Sequence, residues 1–187
     1  MFNLPDCGFL EVILGPMFSG KTTRIIDIYN SEYKQGKNIL VINYSGDTRY
    51  HNTMLSTHDK VMIPCVFSNT LKDVCSVDDI KNVETILINE GQFFNDLYDV
   101  VYELVDTHKK KVFVCGLDGD FKRQKFGSIL DLIPICDNVV KLKANCKQCS
   151  NYALFSFRKS CEVEQVSIGS DNYIPLCRNC YNKHNKL

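Results

Sequence analysis

The first patterned stretch of the chain is a short apolar run, Phe9-Leu10-Glu11-Val12-Ile13-Leu14, stopped by Gly15-Pro16. A run of that length between turn residues predicts a buried strand. Ile25, Ile28, Tyr29 and Glu32 then recur at helical spacing as far as Gly36, which predicts a helix over about Lys21 to Gln35. Asn38 to Ile42 predicts a second strand. Asn43 to Lys60 is polar and without a period, and predicts a long functional loop. Val61 to Phe67 predicts a strand that Pro64 confines to a sheet edge. Glu84 to Asn89 and Lys111 to Leu117 predict two more strands, with a helical stripe of Leu97, Val100, Val101, Leu104 and Val105 between them. Strands alternating with amphipathic helices predict an α/β fold, a parallel sheet flanked by helices with its ligand site at the carboxyl ends of the strands.

After Val139-Val140-Lys141-Leu142 the pattern gives way to cysteine pairs, short alternating runs and no strong helix. This predicts a main domain over residues 1–142 and an appended module over 143–187. The 22 basic and 22 acidic side chains cancel, which argues against a nucleic-acid partner and for a small molecule. No apolar stretch approaches the roughly 20 residues of a bilayer span, and MFNLPDCGFL lacks the basic flank and apolar run of a signal peptide. A soluble protein that stays inside the cell, with reduced thiols and no membrane partner, is the expectation. Six of the ten cysteines, at 7, 65, 75, 115, 136 and 161, are single and read as small buried hydrophobes.

Gly15-Pro16-Met17-Phe18-Ser19-Gly20-Lys21-Thr22 matches G-x-x-x-x-G-K-[ST] between a predicted strand and a predicted helix, the context a phosphate-binding P-loop requires. Glycines there let backbone N–H groups face phosphate oxygens, Lys21 reaches the outer phosphates, and Thr22 offers its hydroxyl to Mg2+. A plain tight turn with a solvated lysine is the alternative. Glu90 follows the predicted strand ending Ile86-Leu87-Ile88-Asn89, where an acid can meet the metal or take a proton from a substrate hydroxyl. By spacing alone it serves equally well as an acid at the start of a helix. Cys146-Lys147-Gln148-Cys149 and Cys177-Arg178-Asn179-Cys180 bring four thiolates together if the chain between them folds back, the arrangement of a structural zinc site. His184, four residues beyond Cys180, reads as an exposed tail residue.

GPMFSGKTT, NEGQFF, LDGDFKRQKFG and the two C-x-x-C pairs, in that order, resemble the type II thymidine kinases of cells, many bacteria and poxviruses. The likeness spans about residues 9 to 181, and Tyr44-Ser45-Gly46-Asp47-Thr48-Arg49-Tyr50 and Thr57-His58-Asp59-Lys60 look most like the poxviral branch. The resemblance implies a P-loop domain plus a small zinc-ribbon-like domain carrying a lasso loop, one structural zinc per chain, and assembly as a cytosolic homotetramer, in the host cytoplasm if viral. It implies transfer of phosphate from ATP with Mg2+ to the 5'-hydroxyl of thymidine, with thymidine triphosphate as feedback inhibitor. It places Glu90 as proton acceptor, Lys21 and Arg49 on the transferring phosphoryl group, and Asp47 with Thr22 and Asn89 at the magnesium. Met17, Phe93, Leu117, Phe121 and Phe126 fall on the walls of the thymine pocket, and Tyr173 with Glu164, Gln165, Val166, Ser167 and Ile168 on the loop that closes over the nucleoside. The family usually carries Asp where this chain has Asn89. A catalytically weakened pseudokinase, and a nucleic-acid-dependent P-loop ATPase with a zinc ribbon, stay open as alternatives.

Overall fold

The structure, a computed structural model, describes residues 7–46, 54–57, 61–166, 169 and 171–184. In chain order it contains β1 (Phe9–Leu14), α1 (Lys21–Lys34), β2 (Ile39–Tyr44), β3 (Met54–Ser56), β4 (Met62–Pro64), β5 (Val66–Ser68), α2 (Val77–Ile80) and β6 (Thr85–Ile88). A 3-10 turn (Gly91–Phe93), α3 (Leu97–Tyr102) running on as a π-helical stretch (Glu103–Thr107), β7 (Lys111–Gly116), a 3-10 helix (Ile129–Ile135) and β8 (Asn138–Lys141) follow. The last part holds β9 (Ala144–Asn145), β10 (Tyr152–Ala153), β11 (Phe155–Arg158), β12 (Tyr173–Leu176) and α4 (Arg178–His184). Among the described residues no helix is long and apolar enough to cross a membrane.

Six strands make one parallel sheet in the order β5-β2-β6-β7-β1-β8. Its two faces are covered by different helices, and the alternation along β1 shows why. Leu10, Val12 and Leu14 pack with Leu97, Val100 and Val101 of α3, while Ile13 packs with Ile25, Ile26 and Ile28 of α1. Each such buried aliphatic side chain contributes about 1.5 to 3 kcal/mol relative to exposure. Central β6 is buried at all four residues, as a strand covered on both faces must be. The chain leaves β1 for β2 on one side and leaves β7 for β8 on the other, although β1 and β7 are neighbours. Opposite exits of adjacent strands open a crevice beyond their carboxyl ends, and the site lies there.

Two expectations are corrected. The Asn43 to Lys60 stretch is not structureless throughout, because β2 continues to Tyr44 and Met54–Ser56 forms β3, paired antiparallel with β4. The single strand expected over Val61 to Phe67 is two, broken at Cys65: β4 belongs to that hairpin and β5 to the edge of the main sheet. The single cysteines are mixed, since only Cys115 is fully buried and Cys7 and Cys161 are exposed.

Beyond β8 the chain forms two small antiparallel ladders, β9 with β10 and β11 with β12, plus the seven-residue α4. They share a separate core of Ala144, Ala153, Leu176 and Tyr181 with Cys146, Cys177 and Cys180. Met17 N–H donates to Ser156 Oγ at 2.9 Å, tying the P-loop to β11.

Candidate active site

The loop between β1 and α1 is built for close approach. Gly20 has φ 83°, a left-handed conformation natural only to glycine, and a Cβ there would meet nothing within 4 Å. At Gly15 a Cβ would lie 2.6 Å from Ser19 Oγ and 2.9 Å from the Leu142 carbonyl oxygen, so only glycine fits. Lys21 is buried and its Nζ donates to the carbonyl oxygens of Gly15 at 3.1 Å and Pro16 at 2.9 Å, folding its cation back over the loop. Helix α1 has no side-chain cap and no acid in its first turn, and Ser19 Oγ is buried without a hydrogen-bond partner. Uncapped first-turn N–H groups, an orphaned hydroxyl and a buried lysine together fit a phosphate chain.

A cavity of about 570 Å³ extends from this loop. Met17, Phe18, Ser19, Gly20, Lys21 and Thr22 line it on one side, and Glu90 lines it beyond β6. Met17, Phe93, Leu117, Phe121 and Phe126 supply apolar wall, and Gln165, Val166 and Tyr173 close the far side. Phe93 is central: it stacks on Tyr44 at 4.9 Å between centroids and meets Phe126 edge-on at 5.3 Å. Flat apolar walls of this kind suit a planar base. Gly15 shapes the loop without lining the cavity, Pro16 borders a smaller cavity of about 260 Å³, and neither buried Asn89 nor exposed Glu164 lines the main one. Asp47, Arg49, Ser167 and Ile168 lie outside the described residues.

Glu90 is buried and adopts left-handed backbone, φ 56° and ψ 42°, a strain of the kind functional sites retain. That turn carries its carboxylate off the strand axis into the cavity. Gln92 Nε2 donates to Glu90 Oε2 at 2.6 Å, and Gln92 Oε1 accepts from Leu117 N–H at 2.9 Å. Gln92 was not among the sequence candidates; its one signal is a polar residue in the string that carries Glu90. Asn89, 2% exposed, is committed to the interior: its Nδ2 donates to Asn43 Oδ1 at 2.7 Å and its Oδ1 accepts from Cys115 Sγ at 2.9 Å. Burial, reinforced by the Glu90 carboxylate, pushes the Cys115 thiol up to about 12, so it remains a donor.

The family model for thymidine kinase matches residues 8–181. Thymidine kinase a of Arabidopsis thaliana is 41% identical over 181 residues, covering 93% of this chain and 75% of that one. Cytosolic thymidine kinase of Bos taurus is 41% identical over 181 residues, covering 94% and 73%. The thymidine kinase of Yaba monkey tumor virus is 41% identical over 179 residues, covering 95% and 97%. The chain belongs to the thymidine kinase family. It is therefore a phosphotransferase that phosphorylates thymidine, with ATP as the implied second substrate, and neither alternative activity is favoured. Cellular and poxviral members match it at equal identity.

In this thymidine kinase family member the Sγ atoms of Cys146, Cys149, Cys177 and Cys180 all lie within 4.8 Å of one another. Cys149 to Cys177 is 3.6 Å and Cys180 to Cys149 is 3.7 Å. A tetrahedron with metal–sulfur bonds of about 2.3 Å has edges of about 3.8 Å, so the four thiols fit a metal as they stand. At Cys146 burial opposes ionisation, but N–H donors of Cys177, Gln148 and Cys149 outweigh it and hold the thiol at about 6. Cys180, bonded to the Cys177 thiol and buried, is pushed up to about 12. His184 is exposed at the end of α4, outside this cluster, with its ring 4.8 Å from that of Phe157.

Proposed function

We propose that the cavity transfers the γ-phosphoryl group of ATP to the 5'-hydroxyl of thymidine, giving thymidine monophosphate and ADP for DNA synthesis by salvage. The observation that carries this reading is that Lys21, Glu90 and the aromatic wall share one cavity. Met17 through Thr22 hold the triphosphate, Lys21 neutralises its outer charge, and Glu90 takes the hydroxyl proton as the bond to phosphorus forms. Arg49 shares the charge of the transferring group. Thr22, Asp47 and Asn89 would hold Mg2+, which would supply neutralising charge for the phosphate oxygens. Phe93, Phe121 and Phe126 enclose the base, and residues 164–168 with Tyr173 close over it. One structural zinc per chain, held by the four cysteines, anchors the module over 143–187. The protein acts as a cytoplasmic homotetramer inhibited by thymidine triphosphate. A coupled assay with thymidine, deoxyuridine and deoxycytidine tests the reading; turnover with none of the three overturns it.

Position 89 carries its own prediction. In Asn89→Asp a carboxylate replaces an amide at a 2% exposed position and loses the bond donated to Asn43. Without metal the melting temperature should fall by about 4 °C or more, since an unpaired buried polar group costs about 2 kcal/mol and each kcal/mol is about 2 to 4 °C at this size. With ATP the same charge favours Mg2+, so phosphorylation should reach half-maximum at lower Mg2+ than in the native chain. Coinciding Mg2+ titrations remove Asn89 from metal handling; an unchanged metal-free melt removes the interior network.

A further inference from the structure

One side chain outside every motif stands behind both the aromatic wall and the nucleoside loop. Arg158 ends β11, faces Tyr173 across the ladder, and is 3% exposed. Its Nε and Nη2 donate to Tyr173 Oη at 2.9 and 2.6 Å. Nη1 donates to the carbonyl oxygens of Glu162 at 3.2 Å and Glu164, and Nη2 to that of Gln165 at 2.9 Å. The same guanidinium lies 3.8 Å from the centre of the Phe121 ring. Three carbonyls, a phenol and an aromatic face thus meet one rigid planar cation, a set that only the five-donor fork of arginine spans.

The direction of those carbonyls matters. A trans peptide is planar, so a carbonyl drawn to Arg158 turns the N–H of the next residue the opposite way. Carbonyls of Glu164 and Gln165 held in this way turn out the N–H groups of Gln165 and Val166, the two loop residues that line the cavity. The loop is tied to the facing turn by Gln165 Nε2 on Asp120 Oδ2 at 2.8 Å and Lys122 Nζ on the Val163 carbonyl at 3.0 Å. With its carbonyls withdrawn, the loop offers donors to the base edge. Thymine presents a carbonyl oxygen at the 4-position where cytosine presents an amino group, so a main-chain donor facing that position selects thymine over cytosine.

We propose that Arg158 is the positioning residue for base selection: it turns the donor face of the 162–166 segment toward the nucleoside and fixes the plane of Phe121 against it. This rests on the cavity being the thymidine site. The full chain carrying Arg158→Lys or Arg158→Gln tests it. The thymidine KM should rise about tenfold to a hundredfold, the range of a few lost charge-assisted hydrogen bonds, with kcat within about threefold of native and the KM for ATP unchanged. Lysine keeps the charge but not the fork, so it should rescue only partly. Preference for thymidine over deoxycytidine should fall about tenfold. Glutamyl endopeptidase should cut the ligand-free variants faster after Glu162 or Glu164. An unchanged thymidine KM and preference in Arg158→Gln, or an equal loss of ATP binding, overturns the proposal. If the native chain fails to phosphorylate thymidine, the site reading is what fails, and the holding of the loop by Arg158 stands or falls on the cleavage rates.

Discussion

Glu90→Gln should lose at least a hundredfold of turnover while thymidine binding stays within a few fold. A general base lowers the barrier by accepting a proton as the new bond forms, a contribution of 10² to 10⁴, and adds little to ground-state affinity. The substitution isolates that role. Glutamine keeps the length and shape of the side chain, the left-handed backbone at φ 56° is unaltered, and an oxygen remains to accept from Gln92 Nε2, now 2.6 Å from the carboxylate. The melting temperature should therefore barely move. Turnover is read in a coupled assay at saturating ATP and thymidine binding by calorimetry. Retention of more than about a tenth of native turnover sinks the assignment, because a hydrogen-bonding residue that takes no proton is replaced by glutamine at small cost. A matched loss of binding and turnover would instead make Glu90 part of the cavity wall.

What could be read from the chain in advance divides by how local its physics is. Strands β1, β6 and β7 and helix α1 were legible to within a residue or two, because uninterrupted apolar runs, a helical stripe and the GKT turn are written in consecutive residues. The β3–β4 hairpin was not, since Met54–Ser56 is too short to show a period and its order comes from hydrogen bonds to a partner strand. Strand β8 escaped for a related reason: it forms the sheet edge, and Val139 is 41% exposed, so no burial pattern marks it. The P-loop, Glu90 and the cysteines stood out as motifs. Gln92, Asn43 and Arg158 did not, because each is defined by a partner far away in the chain: Leu117 at 25 residues, Asn89 at 46 and Tyr173 at 15. Polar side chains read as solvated until the fold supplies such partners.

Replacement of any one of Cys146, Cys149, Cys177 and Cys180 by Ser should abolish stoichiometric zinc and, with it, thymidine affinity before nucleotide affinity. Among the described residues the small core buries, apart from the cysteines, Ala144, Ala153, Leu176 and Tyr181, with Phe155, Phe157 and Ile174 partly buried against them, and its ladders are two and four residues long. A module this small with so little apolar burial is expected to depend on a metal or other cross-link to fold. With one ligand lost, the remaining thiols repel when ionised and β11–β12 loses its anchor, Cys177 lying next to the end of β12. That ladder carries Ser156, Arg158 and Tyr173, so the base site comes apart with it. The P-loop rests on a different core, in which Ile25, Ile26 and Ile28 of α1 pack on the large sheet, and should still bind ATP at reduced affinity. Elemental analysis should give one zinc per native chain and well under one per variant; calorimetry should find thymidine binding weakened at least tenfold, the smallest change expected when several hydrogen bonds to a site are lost together. Full thymidine phosphorylation by a chain holding far less than one zinc would remove the metal from the structure of the site.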